Sequence, residues 1–237
     1  MRGKSKRYQK AAGVAQAAAQ APVPLEEAVK ILKQMAAAAP TKFDQSVEIV
    51  MNLGIDAKQA DQMIRGSVSL PNGIGKARKV IAFAEGEQAD KARAAGATEV
   101  GADELIAKVQ GGWTDFDVAI AHPALMGRVG RLGRVLGPQG KMPSPKSGTV
   151  TADVETAVRE YTAGKVEFRN DAGGNVHAVV GKLSFADEDL KANITAFVEH
   201  IRRLKPVSAK GQYLKKVCIS GTMTPAIQLE IAAATTE

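Results

Sequence analysis

Aromatic side chains are scarce in this chain: six Phe, three Tyr and one Trp amount to 4% of 237 residues. That is too few for a surface that works mainly by stacking single-stranded bases. Cysteine is rarer still. Cys218 stands alone, which excludes an internal disulfide and any multi-cysteine zinc or iron–sulfur site. Inside an apolar strand pattern it is expected to be inert. No run approaches the roughly 18 apolar residues of a membrane span, so no membrane partner is expected. The opening MRGKSKRYQK has a basic flank but no apolar stretch behind it, so it does not read as a secretory signal.

Enzyme signatures are also missing. The three histidines, His122, His177 and His200, lie far apart without metal-ligand spacing. His200 is expected to be solvated and His177 half-buried within a strand. No Ser/His/Asp or H-E-x-x-H arrangement occurs. Gly140-Lys141 resembles the end of a phosphate loop, but Val135 stands where the first glycine is required and Met142 where the magnesium-binding hydroxyl belongs. Gly73-Ile74-Gly75 lacks the third glycine of a dinucleotide fingerprint, because Arg78 occupies that place. No catalytic residue, metal site or cofactor is expected. A Rossmann-type small-molecule-binding enzyme is the competing class.

What the chain does carry is positive charge. Lys and Arg total 32 against 25 Asp and Glu, a formal net charge of +7, within an ordinary globular balance of 45% hydrophobic and 24% charged residues. The length suits two domains of about 100–150 residues. Residues 1–66 carry a net +4, residues 67–158 a net +1 and residues 159–237 a net +2. If the ends, 1–66 and 159–237, form one domain and the middle, 67–158, is an insertion, the electrostatic partner is expected on the end-to-end domain.

Element patterns fit this division. A weakly helical arm over 1–23 stops before Pro22 and Pro24. LEEAVKILKQM, from Leu25, has helical spacing with Glu26 and Glu27 in its first turn. SVEIVMNLGI (46–55) alternates as a strand, and DAKQADQMI reads as a short polar helix. In the middle, strands at Val80–Phe83, Thr98–Val100 and 116–123 alternate with helices at 87–96 and 103–111, the pattern of a three-layer α/β fold. PALMGRVGRLGRVLG is predicted to be helical despite its glycines, and VETAVREYTAG (154–164) is helical. The last third reads as a KVEFRN–VHAVVGKLSF hairpin, an amphipathic helix over 186–206, and strands YLKKVCISG and AIQLEI. The ends therefore predict an α+β sandwich of antiparallel strands and helices.

Three features suit a nucleic acid. Arg128, Arg131 and Arg134 recur every third residue, a spacing that serves either a solvated helix face or contact with phosphates. Thr41-Lys42-Phe43 follows Pro40 in a turn, where Phe43 either tucks beneath the preceding helix or forms a platform for a ribose or base edge. Ser220-Gly221-Thr222-Met223-Thr224-Pro225 joins two strands with small hydroxyl residues and open backbone, either as an ordinary turn or as a donor surface for folded RNA read by shape.

LGPQGKMPSPKSGTVT (136–151) resembles the hallmark of the bacterial large-subunit ribosomal protein L-one family, the ribosomal stalk family. KFDQSVEIVMNLGID (42–56), IRGSVSLPNGIGK (64–76), GKVEFRNDAGGNVHAVVGKLSF (164–185) and SGTMTP (220–225) continue the resemblance in the family's order, with only the first 24 residues outside it. The resemblance implies two domains on a hinge, the end-to-end domain making the principal contacts with 23S rRNA and the insertion being Rossmann-like. It implies a place on the mobile stalk beside the tRNA exit site among other ribosomal components of the cytoplasm. It further implies help in releasing deacylated tRNA from that E site, and repression of the protein's own messenger RNA. Carried onto this chain, the RNA-binding positions are Thr41, Lys42, Phe43, Arg169, Asp171, His177, Ser220, Gly221, Thr222, Met223 and Pro225. Three residues depart from the family's pattern. Thr224 stands in place of a glycine, Ala172 in place of a lysine, and Lys141 in place of an apolar residue.

Overall fold

The computed structural model describes residues 5–15 and 21–230. In chain order they form helices α1 (Lys6–Val14) and α2 (Leu25–Ala38), and strands β1 (Ser46–Leu53), β2 (Arg65–Val68) and β3 (Val80–Phe83). There follow α3 (Glu87–Ala94), β4 (Glu99–Gly101), α4 (Asp103–Gln110), β5 (Val118–Ala121), and the single-turn helices α5 (Met126–Val129) and α6 (Gly133–Leu136). The chain ends with α7 (Val154–Ala163), β6 (Val166–Arg169), β7 (Asn175–Lys182), α8 (Asp187–Arg203), β8 (Leu214–Gly221) and β9 (Ile227–Leu229). These mixed α and β elements fall into two compact units, residues 1–64, 70–75 and 168–237, and residues 65–69 and 76–167.

In the first unit the strands align as β7-β1-β8-β9, every neighbour antiparallel. Side chains alternate across a strand, so Val47, Ile49, Met51 and Leu53 of β1 turn inward while Glu48, Val50 and Asn52 turn away. The inward face is covered by α2 through Val29, Leu32 and Met35, and by α8 through Leu190, Ile194, Phe197 and Ile201, all essentially inaccessible. Each such side chain gains about 1.5–3 kcal/mol from burial. Phe168 meets Phe197 edge-on at 5.8 Å. A fully inaccessible polar side chain, Asn193, sits in this core. Asn193 donates to the carbonyls of Gly73 (2.9 Å) and Val180 (2.8 Å) and accepts from the Asn72 N–H (3.0 Å), so its amide is satisfied and pins the 70–75 segment. Gly75 takes φ +68° there, and a Cβ would lie 2.7 Å from the Phe185 ring, which leaves glycine as the residue that fits.

The second unit centres on a parallel sheet in the order β4-β3-β5. Both faces are buried, and the alternation sorts the side chains between them. Ile81, Phe83, Ala119 and Ala121 join Leu105, Ile106 and Val109 of α4 and Val129, Leu132 and Leu136 on one side. Val80, Ala82, Val118 and Ile120 join Ala92 of α3 and Val154, Ala157, Val158 and Tyr161 of α7 on the other. Strands buried on both faces read as continuous apolar runs, as VIAF and VAIA do. Asp153 caps α7 by accepting from the Thr156 N–H (3.1 Å), and Gly164 ends it with φ +111°.

Several expectations are corrected. The expected boundary at 158/159 cuts through α7, whose apolar face belongs whole to the second unit. No helix forms over 56–64. There the Asp56 carboxylate accepts from the Lys58 N–H, and the Gln62 side chain accepts from the Asp56 N–H, so local turns outcompete helical bonds. PALMGRVGRLGRVLG is a run of alternating 3-10 and α turns rather than one helix, interrupted by Gly127, Gly130 and Gly133. The predicted hairpin does not form as a ladder. β6 pairs with β2, a strand the sequence reading passed over, while β7 pairs with β1; between β6 and β7 only the Asn170–Val176 bridge remains. The four residues of β6 are too few for the eight of β7, whose inward residues need the helix-covered face. Of the predicted arm, Lys6–Val14 is helical; residues 1–4 and 16–20, like Ile231 of the last predicted strand, lie outside the described residues.

Candidate nucleic-acid interface

Antiparallel register brings two segments distant in sequence to one end of the four-stranded sheet. Ser46 opens β1 and Gly221 closes β8, with Val47 opposite Gly221. The loops beyond them are cross-linked. The Thr222 N–H donates to the Ser46 carbonyl (3.0 Å), the Ser46 N–H donates to Thr222 Oγ1 (3.1 Å), and the Met223 N–H donates to Gln45 Oε1 (2.9 Å). Gln45 is 2% exposed, and its carbonyl also accepts from the Leu183 N–H (3.0 Å), tying in the end of β7. The Ser184 hydroxyl donates to the Asp44 carboxylate at 2.7 Å.

On this cross-linked base apolar Phe43 and Met223 and basic Lys42 face outward, beside the exposed Asp44 whose carboxylate is held by Ser184. Phe43 is 51% exposed and Met223 43% exposed. Of the two readings of Phe43, burial beneath α2 is the one the structure removes. Lys42 is exposed beside it and forms no ion pair among the described residues. The Thr41 hydroxyl donates to the Phe43 carbonyl (2.7 Å), fixing the turn. Thr222 serves the scaffold, since its hydroxyl is occupied by Ser46. Thr224 needs no glycine-like backbone: among the described residues only glycines have positive φ. Its Oγ1 instead accepts from the Gly221 N–H (2.8 Å), and its own N–H donates to the Gly221 carbonyl (3.1 Å).

Asp171 and His177 sit elsewhere on the same unit. His177 pairs with Val50, four residues or about 14 Å along β1 from Ser46. Its side chain is 60% exposed on the outward face, not half-buried as expected, with Nε2 3.7 Å from the Asp171 carboxylate. Asp171 shapes its turn by accepting from the Asn175 side chain and from the N–H groups of Asn175 (2.7 Å) and Gly173 (2.8 Å). These donors hold its carboxyl below the usual range, the Asn175 side chain most strongly. Arg169 is exposed at the end of β6. The predicted residues thus form one loop cluster and a separate Asp171–His177 group. His200 departs from its expected solvation: it packs edge-on to Phe168 at 5.7 Å, and burial lowers its pKa.

Sequence reasoning missed Gln45, which holds the loops together. Its signal is contextual, a polar residue just before a strand, and no motif marks it. It also missed Glu48 and Val50 as members of the open sheet face, although alternation along β1 was enough to assign them.

The arginine series of the second unit does not present itself uniformly. Arg128 is bound to Glu85 and Asp103 (2.8 Å to the latter), while Arg131 and Arg134 are exposed. Lys141 donates to the Thr114 carbonyl (2.9 Å) and lies over the Phe116 ring. Elsewhere in this unit cations are spent on neighbouring carboxylates, as in Lys76–Asp117, Lys79–Asp115, Lys108–Glu99 and Lys165–Glu160.

Residues 32–225 match the ribosomal protein L1p/L10e family. The chain belongs to that family. It is 55% identical over 187 residues to the large ribosomal subunit protein uL1 of Cutibacterium acnes, covering 79% of this chain and 81% of the relative. The protein of the same name from Lactobacillus acidophilus is 52% identical over 86% of this chain and 87% of its own length. That of Beutenbergia cavernae is 52% identical over 97% and 94%. The family is one of structural ribosomal proteins, so the chain is not an enzyme and the Rossmann-type enzyme reading is not favoured. Among the described residues no helix is long and apolar enough to cross a membrane.

Proposed function

We propose that this chain is a constituent of the large ribosomal subunit in the cytoplasm that binds 23S rRNA at the mobile stalk, chiefly through its first unit. The supporting observation is the loop cluster. Two segments about 180 positions apart are hydrogen-bonded together and hold Phe43, Met223 and Lys42 outward. A preformed surface of this kind suits RNA recognised by shape, with lysine neutralising phosphate and apolar side chains resting on sugars or base edges. In this reading Thr41, Thr222, Ser220, Gly221 and Pro225 set the loop conformation. Arg169, Asp171 and His177 extend the contact along the unit, and the second unit, its cations largely paired internally, contributes less. Release of deacylated tRNA at the E site and repression of the protein's own messenger follow from the same surface, the messenger offering a similar RNA element.

The test is binding of the full chain to a stalk fragment of 23S rRNA with Phe43→Ala and Met223→Ala combined. A loss of about tenfold or more with unchanged folding is expected, since each tenfold corresponds to about 1.4 kcal/mol. Undiminished affinity would refute the assignment of these loops.

A further inference from the structure

The segment from His200 to Leu229 contains no acidic residue, yet Arg202, Arg203, Lys205, Lys210, Lys215 and Lys216 fall within seventeen positions of its start. The fold turns this run into a shaped surface. After α8 the chain makes a loop closed at its base by the Tyr213 hydroxyl, which donates to the Ile201 carbonyl at 3.1 Å. Ala209 (6% exposed) and Tyr213 (6%) anchor the loop inward, and the Ala209 N–H donates to the Pro206 carbonyl. Lys205 and Lys210 are left exposed on either side of Val207, which is fully open to solvent.

β8 then breaks its own alternation. Asn52 pairs with Lys216 and Leu53 with Leu214, so Lys215 is the extra residue of a bulge. Leu214 and Val217 both stay buried, and the two lysines between them are both exposed. An uninterrupted alternation would have turned one of them toward the core. Lys205, Lys210, Lys215 and Lys216 form no ion pair among the described residues. Arg203 is 3.9 Å from Glu199. Of the carboxylates at this end of the sheet, Asp56 and Asp171 are engaged by their own turns, and the exposed Glu230, which the β8–β9 register places opposite Lys216, forms no ion pair among the described residues.

We infer that this lysine-bearing loop and bulge form a second RNA-backbone surface, at the end of the sheet opposite the Phe43–Met223 loops. Along β1 the two lie about 20 Å apart, so they reach different RNA segments. The inference rests on the proposed rRNA reading and extends it. The chain would join two RNA elements, one read by shape through the loops and one held without sequence preference through its phosphates.

The experiment saturates the full chain with unlabelled stalk rRNA fragment, then titrates a short labelled RNA duplex of arbitrary sequence at several salt concentrations. Wild type is expected to bind the duplex in this state. A variant combining Lys205→Gln, Lys210→Gln and Lys215→Gln is expected to bind the stalk fragment unchanged, which reports its folding. It should bind the duplex at least about tenfold more weakly, with a log–log salt slope smaller by about 2. Arginine at the same three positions should restore binding. Duplex binding by the glutamine variant equal to wild type overturns the inference, as does equal binding of polyglutamate by the wild-type surface. If wild type fails to bind the stalk fragment, the loop reading falls. Duplex titration of the unsaturated protein, with and without the three lysines, then still decides this surface.

Discussion

Gln45→Met isolates the strut beneath the loop cluster. Methionine is close to glutamine in length and volume, so packing is nearly retained, but the acceptor for the Met223 N–H is gone. The lost bond is 2.9 Å long and part-buried. A net hydrogen bond is worth about 0.5–1.5 kcal/mol, and leaving a buried donor unmet costs about 1–3 kcal/mol. An apolar side chain at a position 2% exposed returns part of that, so a net cost of about 1–2 kcal/mol is expected. Where that cost falls decides the question. The Ser46–Thr222 bonds and the Leu183–Gln45 backbone bond survive the change, so β1, β7 and β8 keep their register. The cost should therefore concentrate on the order of Met223 rather than on global unfolding. If RNA requires the ordered loop, stalk-fragment affinity falls by about five- to thirtyfold, the same free energy expressed as binding. The assay pairs that Kd with a urea melt. A variant that loses stability in full while keeping its Kd would refute the reasoning, because the loop geometry would then be irrelevant to RNA.

Thr224→Gly removes the hydroxyl that accepts from Gly221 and frees the backbone, so it should weaken rRNA binding by a few-fold and increase amide exchange at 221–224, at a cost of about 1 kcal/mol; equal or tighter binding would show that the loop prefers glycine's freedom. His200, its pKa lowered first by burial and then by Arg203, is disfavoured as the cation in the folded state. Stability of the first unit should therefore be full above pH 6.5 and fall as the pH drops below that ordinary value, and His200→Gln should flatten the dependence in denaturant melts at pH 7.5 and 5.5. Glu167 has the opposite sign: burial raises its pKa, so its ionised form carries a penalty that is fully present once the pH exceeds the raised value. Glu167→Gln should raise the melting temperature at pH 7 and have less effect near pH 4; a drop at pH 7 would mean that the charge serves Arg65 or Arg78.

How much could be read from the chain beforehand depended on the range of the physics involved. α8 was legible because Leu190, Ile194, Phe197 and Ile201 repeat at helical spacing and Asp187 and Arg203 complement its dipole; both signals are local. VIAF and VAIA were legible because a strand buried on both faces has little choice but continuous apolar residues. The predicted hairpin failed for the converse reason. The partners of β6 and β7 are β2 and β1, more than a hundred positions upstream, and turn chemistry at Asp171–Gly174 says nothing about which sheet each strand joins.

The same distinction governs the site. Phe43 and Met223 drew notice as apolar residues in hydroxyl-rich or turn segments, a property visible one residue at a time. Gln45 did not, because its role exists only once β8 has returned to place Met223 above it. Thr224 shows how a substitution takes its meaning from the fold. It stands in a glycine's place, and the fold gives it a φ that is not positive and a hydrogen bond that glycine could not make. Lysines 215 and 216 carry the point furthest. In sequence they are an unremarkable basic pair, and strict alternation would bury one of them. Only the bulge in the register against Asn52 and Leu53 turns both outward, so the charge of this surface is set by a backbone irregularity that composition cannot contain.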